Sequence, residues 1–455
     1  MKRRGRRLLA LGAAITLAVA MTACTGDAAE PPPQTVTRPA KPDKLTFGVF
    51  GNQDEVGAYQ QVADSYNAVT DESDVSLAPY ATEDELMAAV DAGEVPDVFL
   101  VSRRDLAALT DDGLNRPLSD LLEERGVDFG DTYSRDALEA FSSERELQCM
   151  PYGIAPDVVY YNTDLVDFDA MAERGLLVPD TLVEPAIPRW SLEMFQAAAE
   201  FATKPRRKIS GLYVEPTLRG LAPFIYSAGG ELYDDDEAPT SLAFSEGDTR
   251  DALTATLPLL RDARLSLSDE QLARATPQEW FERGRLAMLV GTRSLVPELR
   301  AVEGLDFDVM PIPVVDDDAT VGDITGICVS AEADTVSESA DFLVHAISGD
   351  SVRQVVAAGY LSPANQTVAL SEDFLDPTEL PEHSSVFVAS VRAMRIPPLL
   401  RDRDELLAAT EADVRSLITL PILEPADIEA ITTAIDEESR TVLDPEAVPS
   451  ESAEE

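Results

Sequence analysis

The chain has 455 residues, and its 36 basic and 84 acidic side chains give a formal net charge of −48 at pH 7. A field of this sign opposes binding to nucleic acid and to anionic membrane surfaces. Only two histidines are present, which leaves little room for His-dependent catalysis. The length exceeds what a single hydrophobic core usually holds, so two domains are expected.

The first 23 residues predict a secretory signal. Five basic residues lie within Met1–Arg7, and thirteen apolar or small residues follow at Leu8–Ala20, too few for a membrane-spanning helix of about 20 residues. The next segment, Met21–Cys24, resembles a bacterial lipobox. This resemblance implies that Cys24 is lipidated and becomes the mature N-terminus. Ordinary signal cleavage beside an unmodified cysteine is the alternative.

The two ends of the mature chain predict flexible segments. Residues 24–43 are rich in Pro, Ala and Thr and are interpreted as a tether, and residues 444–455 as a disordered acidic tail. No other segment is long and apolar enough to cross a bilayer. We therefore expect a monomer that contacts the membrane only through the lipid on Cys24.

Between these ends, β-rich runs alternate with helical runs. Thr82–Glu85 and Thr276–Glu279 have the capping-box pattern that opens a helix. The alternation predicts an α/β fold with a mostly parallel sheet. The clearest predicted strands are 44–50, 75–80, 96–101, 209–214 and 286–290, and the clearest predicted helices are 54–69, 103–109, 191–203 and 217–227.

Eight segments, taken together and in order, resemble the extracellular solute-binding family that contains the maltose-binding proteins. They are PDVF at 96–99, MPYG at 150–153, VYYNTDL at 159–165, PRWSLEMF at 188–195, FERGRLAM at 281–288, VMPIP at 309–313, residues 322–330 and GYLSP at 359–363. The resemblance implies a two-lobed, periplasmic-binding-protein-like α/β fold with hinge strands and an interlobe cleft. It also implies closure of the lobes around a ligand.

The same resemblance assigns residues 44–151 and 330–382 to an N-terminal lobe. It assigns residues 152–329, which include the hinge strands, and 384–443 to a C-terminal lobe. Cys149 then precedes the first hinge strand and Cys328 lies within the second, which implies a disulfide between neighbouring strands. Two unlinked buried thiols are the alternative.

By position in the family, loops from both lobes and the hinge would supply the ligand contacts. The expected ligand-binding residues are Phe50, Asn52, Asp54, Ser102, Arg103, Tyr152, Tyr226, Gly229, Gly230, Arg293 and Asp323. Arg293 departs from the family, in which many members carry Trp at this position. A guanidinium there could form paired hydrogen bonds with hydroxyls, or with a carboxylate or phosphate.

The resemblance implies the lipid-anchored solute-binding component of an ABC importer, working with permease subunits on a small polar solute, a sugar. No enzyme activity, cofactor or metal is expected. His-Glu-x-x-His, Walker A and Gly-x-Ser-x-Gly patterns are absent from the sequence, and the acidic run Asp316–Asp318 has Val321 and Ile327 where an EF-hand needs Gly and Glu. Two alternatives stay open: binding of an anionic non-sugar solute such as a glycerophosphodiester, and a lipid-anchored sensory protein without transport.

Overall fold

A computed structural model describes residues 43–447, except 128, 130, 131, 144, 180–187 and 377. The predictions for the signal segment, Cys24, the tether up to residue 42 and the tail from residue 448 lie outside the described residues. Within the described part of the chain, no helix has the length and apolar character needed to cross a membrane.

Eleven strands are described. They are β1 (Asp43–Phe50), β2 (Ser73–Tyr80), β3 (Val98–Ser102), β4 (Asn115–Arg116), β5 (Ser142–Ser143), β6 (Glu146–Leu147), β7 (Met150–Pro156), β8 (Val158–Asn162), β9 (Met288–Gly291), β10 (Phe307–Met310) and β11 (Gly322–Ser330).

Nineteen α-helices are described between and after these strands. They are α1 (Gln53–Asn67), α2 (Glu83–Asp91), α3 (Leu106–Asp111), α4 (Ser119–Glu124), α5 (Arg135–Ala140), α6 (Phe168–Glu173), α7 (Leu192–Ala202), α8 (Leu218–Ser227), α9 (Gly247–Leu260), α10 (Asp269–Leu272), α11 (Pro277–Glu282), α12 (Val296–Arg300), α13 (Val336–Ala346), α14 (Gly349–Val356), α15 (Gln366–Ala369), α16 (Glu372–Leu375), α17 (Ser385–Ser390), α18 (Arg403–Thr419) and α19 (Pro425–Leu443).

The larger sheet contains six strands in the order β2-β1-β3-β11-β4, with β7 also pairing with β11. Strand β1 is parallel to β2 and β3, whereas β11 is antiparallel to β3, β4 and β7. By direction, five of the six strands (β1, β2, β3, β4 and β7) run the same way, so the prediction of a mostly parallel sheet is confirmed for this sheet. The exception is β11, a long strand that returns to this sheet from the C-terminal side of the chain and runs against its neighbours, so three of the five strand pairings are antiparallel.

Strands β7 and β8 carry the chain from this sheet to a smaller antiparallel sheet, in the order β10-β8-β9. A single residue, Asp157, separates them. Successive side chains of a strand point to opposite faces. Accordingly, Val158 and Tyr160 join a core built around the larger sheet, while Val159 and Tyr161 join a second core. We call these the first and second cores.

Local sequence explains where several helices begin. Capping boxes form at the start of α1, with Asn52 and Glu55, and of α11, with Thr276 and Glu279. At α2 only half of the predicted box is present. The Thr82 side chain accepts from the Glu85 N–H, but the Glu85 carboxylate turns back to the N–H of Ala81.

The prediction of a regular strand at 209–214 is wrong, because the segment changes its backbone partner along its length. The N–H of Ser210 donates to Arg285, those of Gly211 and Leu212 donate to Leu265, and that of Tyr213 donates to Met288. Isolated bridges result instead of a ladder.

Candidate functional site

Two adjoining cavities lie between parts of the chain that belong to the first and second cores. The larger has a volume of about 540 Å³ and the smaller about 410 Å³. Both volumes fall in the range of small-molecule binding pockets. Ser102, Arg104, Arg219 and Asp323 line both cavities. The two cavities are therefore neighbouring compartments of one cleft.

Arg219 on α8 marks the boundary between the compartments. Its Nε and Nη2 donate to the carboxylate of Asp157 at 3.1 and 2.9 Å, and its Nη1 and Nη2 donate to Asp323 at 2.5 and 2.9 Å. Burial opposes the charge of Arg219, but the two carboxylates outweigh burial and raise its pKa. Asp157 precedes β8 and Asp323 is the second residue of β11, so one side chain holds both connecting strands to α8.

Gly322 allows β11 to approach β7 closely. A Cβ at this position would lie 2.3 Å from the carbonyl oxygen of Ala155 on β7. Any larger residue would therefore push β11 away from β7 and would move Asp323 with it.

The loop after β1 contributes one of its three predicted residues directly. Phe50 lines the smaller cavity. Asn52 accepts hydrogen bonds from the N–H groups of Asp54 and Glu55 at 2.9 and 3.1 Å, which makes it the cap of α1. Asn52 and Asp54 are exposed and are not among the lining residues, whereas Glu55, which the prediction omitted, lines the cavity. Burial raises the pKa of Glu55.

The turn after β3 places both predicted residues at the larger cavity, which Ser102 and Arg103 line. Arg103 donates from Nε to the carbonyl of Ala140 at 2.8 Å and from Nη1 to the carbonyl of Pro397 at 2.6 Å. Burial lowers the pKa of Arg103 to about 10, although Tyr233 opposes this shift. Its position supports a role in the cleft.

Tyr152 lies behind the cleft and not in it. Its side chain is 2% exposed, and its ring packs against Tyr59 with ring centroids 6.2 Å apart. The smaller cavity is lined instead by Tyr59 and by Gly153, the residue after Tyr152. Tyr152 thus supports the wall from the first core.

Three further predicted residues come from helix α8 and the turn after it: Tyr226 lies on the helix, and Gly229 and Gly230 lie in the turn. Tyr226 lines the larger cavity, and Asp323 lines both. Gly229 ends the helix with a φ of +79°, which favours glycine, and Gly230 packs closely against Thr249. The two glycines are not among the lining residues, and their positions give them a structural role.

Arg293 also lies outside the lining of both cavities. Its side chain is buried, its Nε donates to the carbonyl of Gly359 at 3.1 Å, and its guanidinium stacks on the rings of Phe374 and Phe387. Burial lowers its pKa to about 10. The expectation that Arg293 anchors a ligand is corrected accordingly, because the guanidinium serves internal packing. Its neighbours Thr292 and Ser294 line the smaller cavity.

Several residues that sequence reasoning omitted also line the cleft. The most informative are Glu83, Arg219, Tyr233, Tyr360 and Arg395. Two of these had a sequence signal: Arg219 lies about two turns before Tyr226 in a predicted helix, and Tyr360 lies within the GYLSP segment. Arg395 comes from a segment far along the chain that the prediction left without a role.

A disulfide joins Cys149 to Cys328, with Cα atoms 4.4 Å apart. It links the residue before β7 to the middle of β11, beside the connection between the sheets. Among the described residues, no group of three or more His, Cys, Asp and Glu side chains is arranged to hold a metal ion.

The sheets, the connecting strands and the cleft define a two-lobed α/β binding protein, and comparison with known proteins agrees. The model of the family described as bacterial extracellular solute-binding protein matches residues 61–382, so the chain belongs to this family. Membership implies an extracytoplasmic location. No curated protein matches the chain.

Solved structures confirm the fold class. An ABC substrate-binding protein from Listeria monocytogenes, in complex with cycloalternan, superposes with a TM-score of 0.72 at 18% identity over 87% of this chain and 98% of that one. The GacH receptor of Streptomyces glaucescens, studied with acarbose, gives 0.70 at 17% identity over 88% and 98%. The Thermus thermophilus maltotriose-binding protein gives 0.66 at 15% identity over 87% and 99%.

Proposed function

We propose that this chain is the lipid-anchored solute-binding component of an ABC import system and that it captures a carbohydrate by hinge closure. The observation that carries the proposal is the composition of the cleft. Tyr226 and Tyr233 line the larger cavity and place aromatic rings in its wall, where sugar C–H surfaces could pack, while Ser102, Arg219 and Asp323 offer polar groups for hydroxyls. The volumes suit a ligand of one to a few sugar rings.

The lobe boundaries form part of the proposal. The N-terminal lobe comprises residues 44–151 and 330–382, and the C-terminal lobe comprises residues 152–329 and 384–443. Among the residues that the structure describes, the second core contains only residues from 159–319 and 406–435, and this restriction and the β7–β8 and β11 connections support the division. The first core also takes in Phe281, Phe307 and Phe387 from the proposed C-terminal lobe. The solved structures that share the fold include proteins studied with cycloalternan, acarbose and maltotriose, which supports a saccharide ligand here.

Isothermal titration calorimetry of the purified protein with maltotriose, maltotetraose, glycerol phosphodiesters and amino acids tests the proposal. A ligand at 100 times its Kd should raise the free energy of unfolding by about 2.7 kcal/mol. Tyr226→Ala should weaken saccharide binding, whereas Tyr80→Ala, which removes a half-buried tyrosine outside both cavities, should leave it unchanged. Binding only of glycerol phosphodiesters would replace the sugar with the anionic non-sugar alternative.

Transport is separable from sensing in cells. Deletion of the gene should abolish uptake of the radiolabelled ligand if the protein serves a permease. Normal uptake with an altered transcriptional response would favour the sensory alternative.

Lipid anchoring has its own test. The Cys24→Ala variant should move from the membrane fraction to the medium, because a lipid on Cys24 is the proposed attachment. The double variant Cys149→Ala/Cys328→Ala retains Cys24 and should stay with the membrane. Membrane association of Cys24→Ala equal to that of the native protein would contradict the anchor.

A further inference from the structure

The larger cavity is lined by more basic than acidic residues, although the chain as a whole is strongly acidic. Five arginines line it, against three carboxylates, in a chain with 36 basic and 84 acidic residues. The arginines are Arg103, Arg104, Arg219, Arg395 and Arg403, and the carboxylates are Asp323, Asp404 and Glu411. Such a local excess of guanidinium groups raises the question of which anionic groups balance their charge.

Three of these arginines already have carboxylate partners. Arg219 pairs with Asp157 and Asp323. Arg104 pairs with Glu83 at 3.0 Å and Asp84 at 2.6 Å. Arg403 pairs with its neighbour Asp404 at 3.3 Å. These pairs balance most of the positive charge around the cavity. Arg103 and Arg395 are the two lining arginines that remain to be accounted for.

Arg103 and Arg395 have no carboxylate oxygen within 4.0 Å among the residues that the structure describes. Arg103 donates only to two backbone carbonyls, which orient its guanidinium without neutralising it. The Arg103 side chain is half-buried, so a missing anion costs less than it would in a fully buried site, and an anionic ligand would offset that cost.

Arg395 is exposed and lines the same cavity, two residues before Pro397, whose carbonyl accepts from Arg103. Its backbone is fixed by an N–H donated to the carbonyl of Thr320 at 2.8 Å, and its guanidinium carbon lies 5.8 Å from the centre of the Tyr226 ring. Glu231 is close enough for Arg395 to oppose the rise in its pKa, but the two form no ion pair at 4.0 Å. The side chain therefore keeps donors for a ligand.

Building on the proposed carbohydrate function, we infer that the ligand is an acidic saccharide and that Arg103 and Arg395 bind its anionic group in the larger cavity. Guanidinium groups bind carboxylate and sulfate oxygens through paired, charge-assisted hydrogen bonds. Tyr226 and Tyr233 line the same cavity and supply ring faces for the sugar. The other polar residues of the cleft are left to bind hydroxyls.

Calorimetry with matched neutral and acidic sugars tests this inference. The probes are trigalacturonate and its neutral methyl ester, a chondroitin sulfate tetrasaccharide and its desulfated form, and maltotriose. The galacturonate pair tests the carboxylate, and the chondroitin pair tests the sulfate alone, because desulfated chondroitin keeps its glucuronate carboxylates. At least one acidic saccharide should bind tenfold or more tightly than its matched derivative, and higher salt should reduce this difference.

Arg395→Gln should remove most of that preference without affecting the fold, because the side chain is exposed. Arg103→Gln should do the same, but it also removes contacts with Ala140 and Pro397, so its circular dichroism and melting temperature must be compared. Arg392→Gln is the matched control, since Arg392 is exposed in the same segment and does not line the cavity.

The outcomes separate the inference from the proposed function. Maltotriose or a neutral derivative binding as tightly as the acidic forms would overturn the inference and leave carbohydrate binding intact. Failure of every saccharide, with binding of glycerol phosphodiesters, would overturn both. An acidic preference that Arg395→Gln and Arg103→Gln both retain would also overturn the inference, because the assigned residues would not be its cause.

Discussion

At the scale of single residues, Arg219 combines a structural role with a position in the cleft. Its guanidinium neutralises Asp157, which is 4% exposed, while Asp323 is half exposed and faces both cavities. Burial raises the pKa of Asp157, and Arg219 opposes that rise. Loss of Arg219 would therefore leave a buried carboxylate without its counterion at the junction of the two sheets.

We expect Arg219→Gln to lower the free energy of unfolding by about 2 kcal/mol. Breaking a fully buried pair costs more, about 3–5 kcal/mol, but the Arg219 side chain is 39% exposed and water replaces part of the interaction. Urea denaturation measures the change. Arg135→Gln, which breaks an exposed pair with Glu139, is the control and should leave the melting temperature unchanged. Equal stability of the two variants would contradict the role of Arg219.

Glu83 provides a pH-dependent prediction. Burial raises its pKa to about 7 from an ordinary value of 4.5, although Arg104 opposes the shift. Because the folded protein holds this proton more tightly than the unfolded chain, the contribution of Glu83 to stability is full below pH 4.5. It is lost as the pH rises through about 7. Its carboxylate accepts the N–H of Ser102, so it also supports the cleft.

Glu83→Gln should remove this dependence. Between pH 5 and 7 the native protein should lose stability relative to the variant by up to about 1.4 kcal/mol per pH unit. Urea denaturation at pH 5, 6, 7 and 8 gives the comparison, with the exposed Glu139→Gln as control. Parallel stability profiles for the native protein and Glu83→Gln would refute the assignment.

At the scale of elements, periodicity and capping predicted much of the fold. Strand β1 and helices α7 and α8 lie within a residue or two of their predicted bounds, because each has a clear pattern and a local stop. The segment 209–214 has strand-like composition, but its tertiary hydrogen bonds go to three different partners. The opposite direction of β11 was also not predicted, because its pairing with β3 and β7 joins residues far apart in the chain.

The disulfide acts between elements, because it ties the start of β7 to β11 over a sequence separation of 179 residues. Closing so long a loop lowers the entropy of the unfolded chain, and loss of the bond should cost about 2–4 kcal/mol. We expect Cys149→Ala/Cys328→Ala to unfold at a lower urea concentration than the oxidised protein. A reducing agent should lower the midpoint of the native protein and leave that of the variant unchanged. Equal midpoints under oxidising conditions would contradict the prediction.

At the scale of the whole molecule, the cleft was only partly predictable. Phe50 and Ser102 are the last residues of parallel strands and Arg103 comes directly after one, so their position at one edge of a sheet follows from topology. The structure places all three at the cavities. The segment between α17 and α18 carried no such signal. It crosses to the first core, where Pro397 accepts from Arg103 and Arg401 donates to Asp112 at 3.0 and 3.1 Å. Those contacts depend on the final packing of distant parts of the chain.

Hinge closure on a ligand should make the whole molecule more compact. A ligand that touches both lobes binds the closed form more tightly and shifts the population towards it. Small-angle X-ray scattering should therefore show a smaller radius of gyration with the saccharide that binds best in calorimetry. A saccharide that does not bind serves as the control. An unchanged radius at saturating ligand would mean that the unliganded protein is already closed, and hinge closure would then not be the mode of capture.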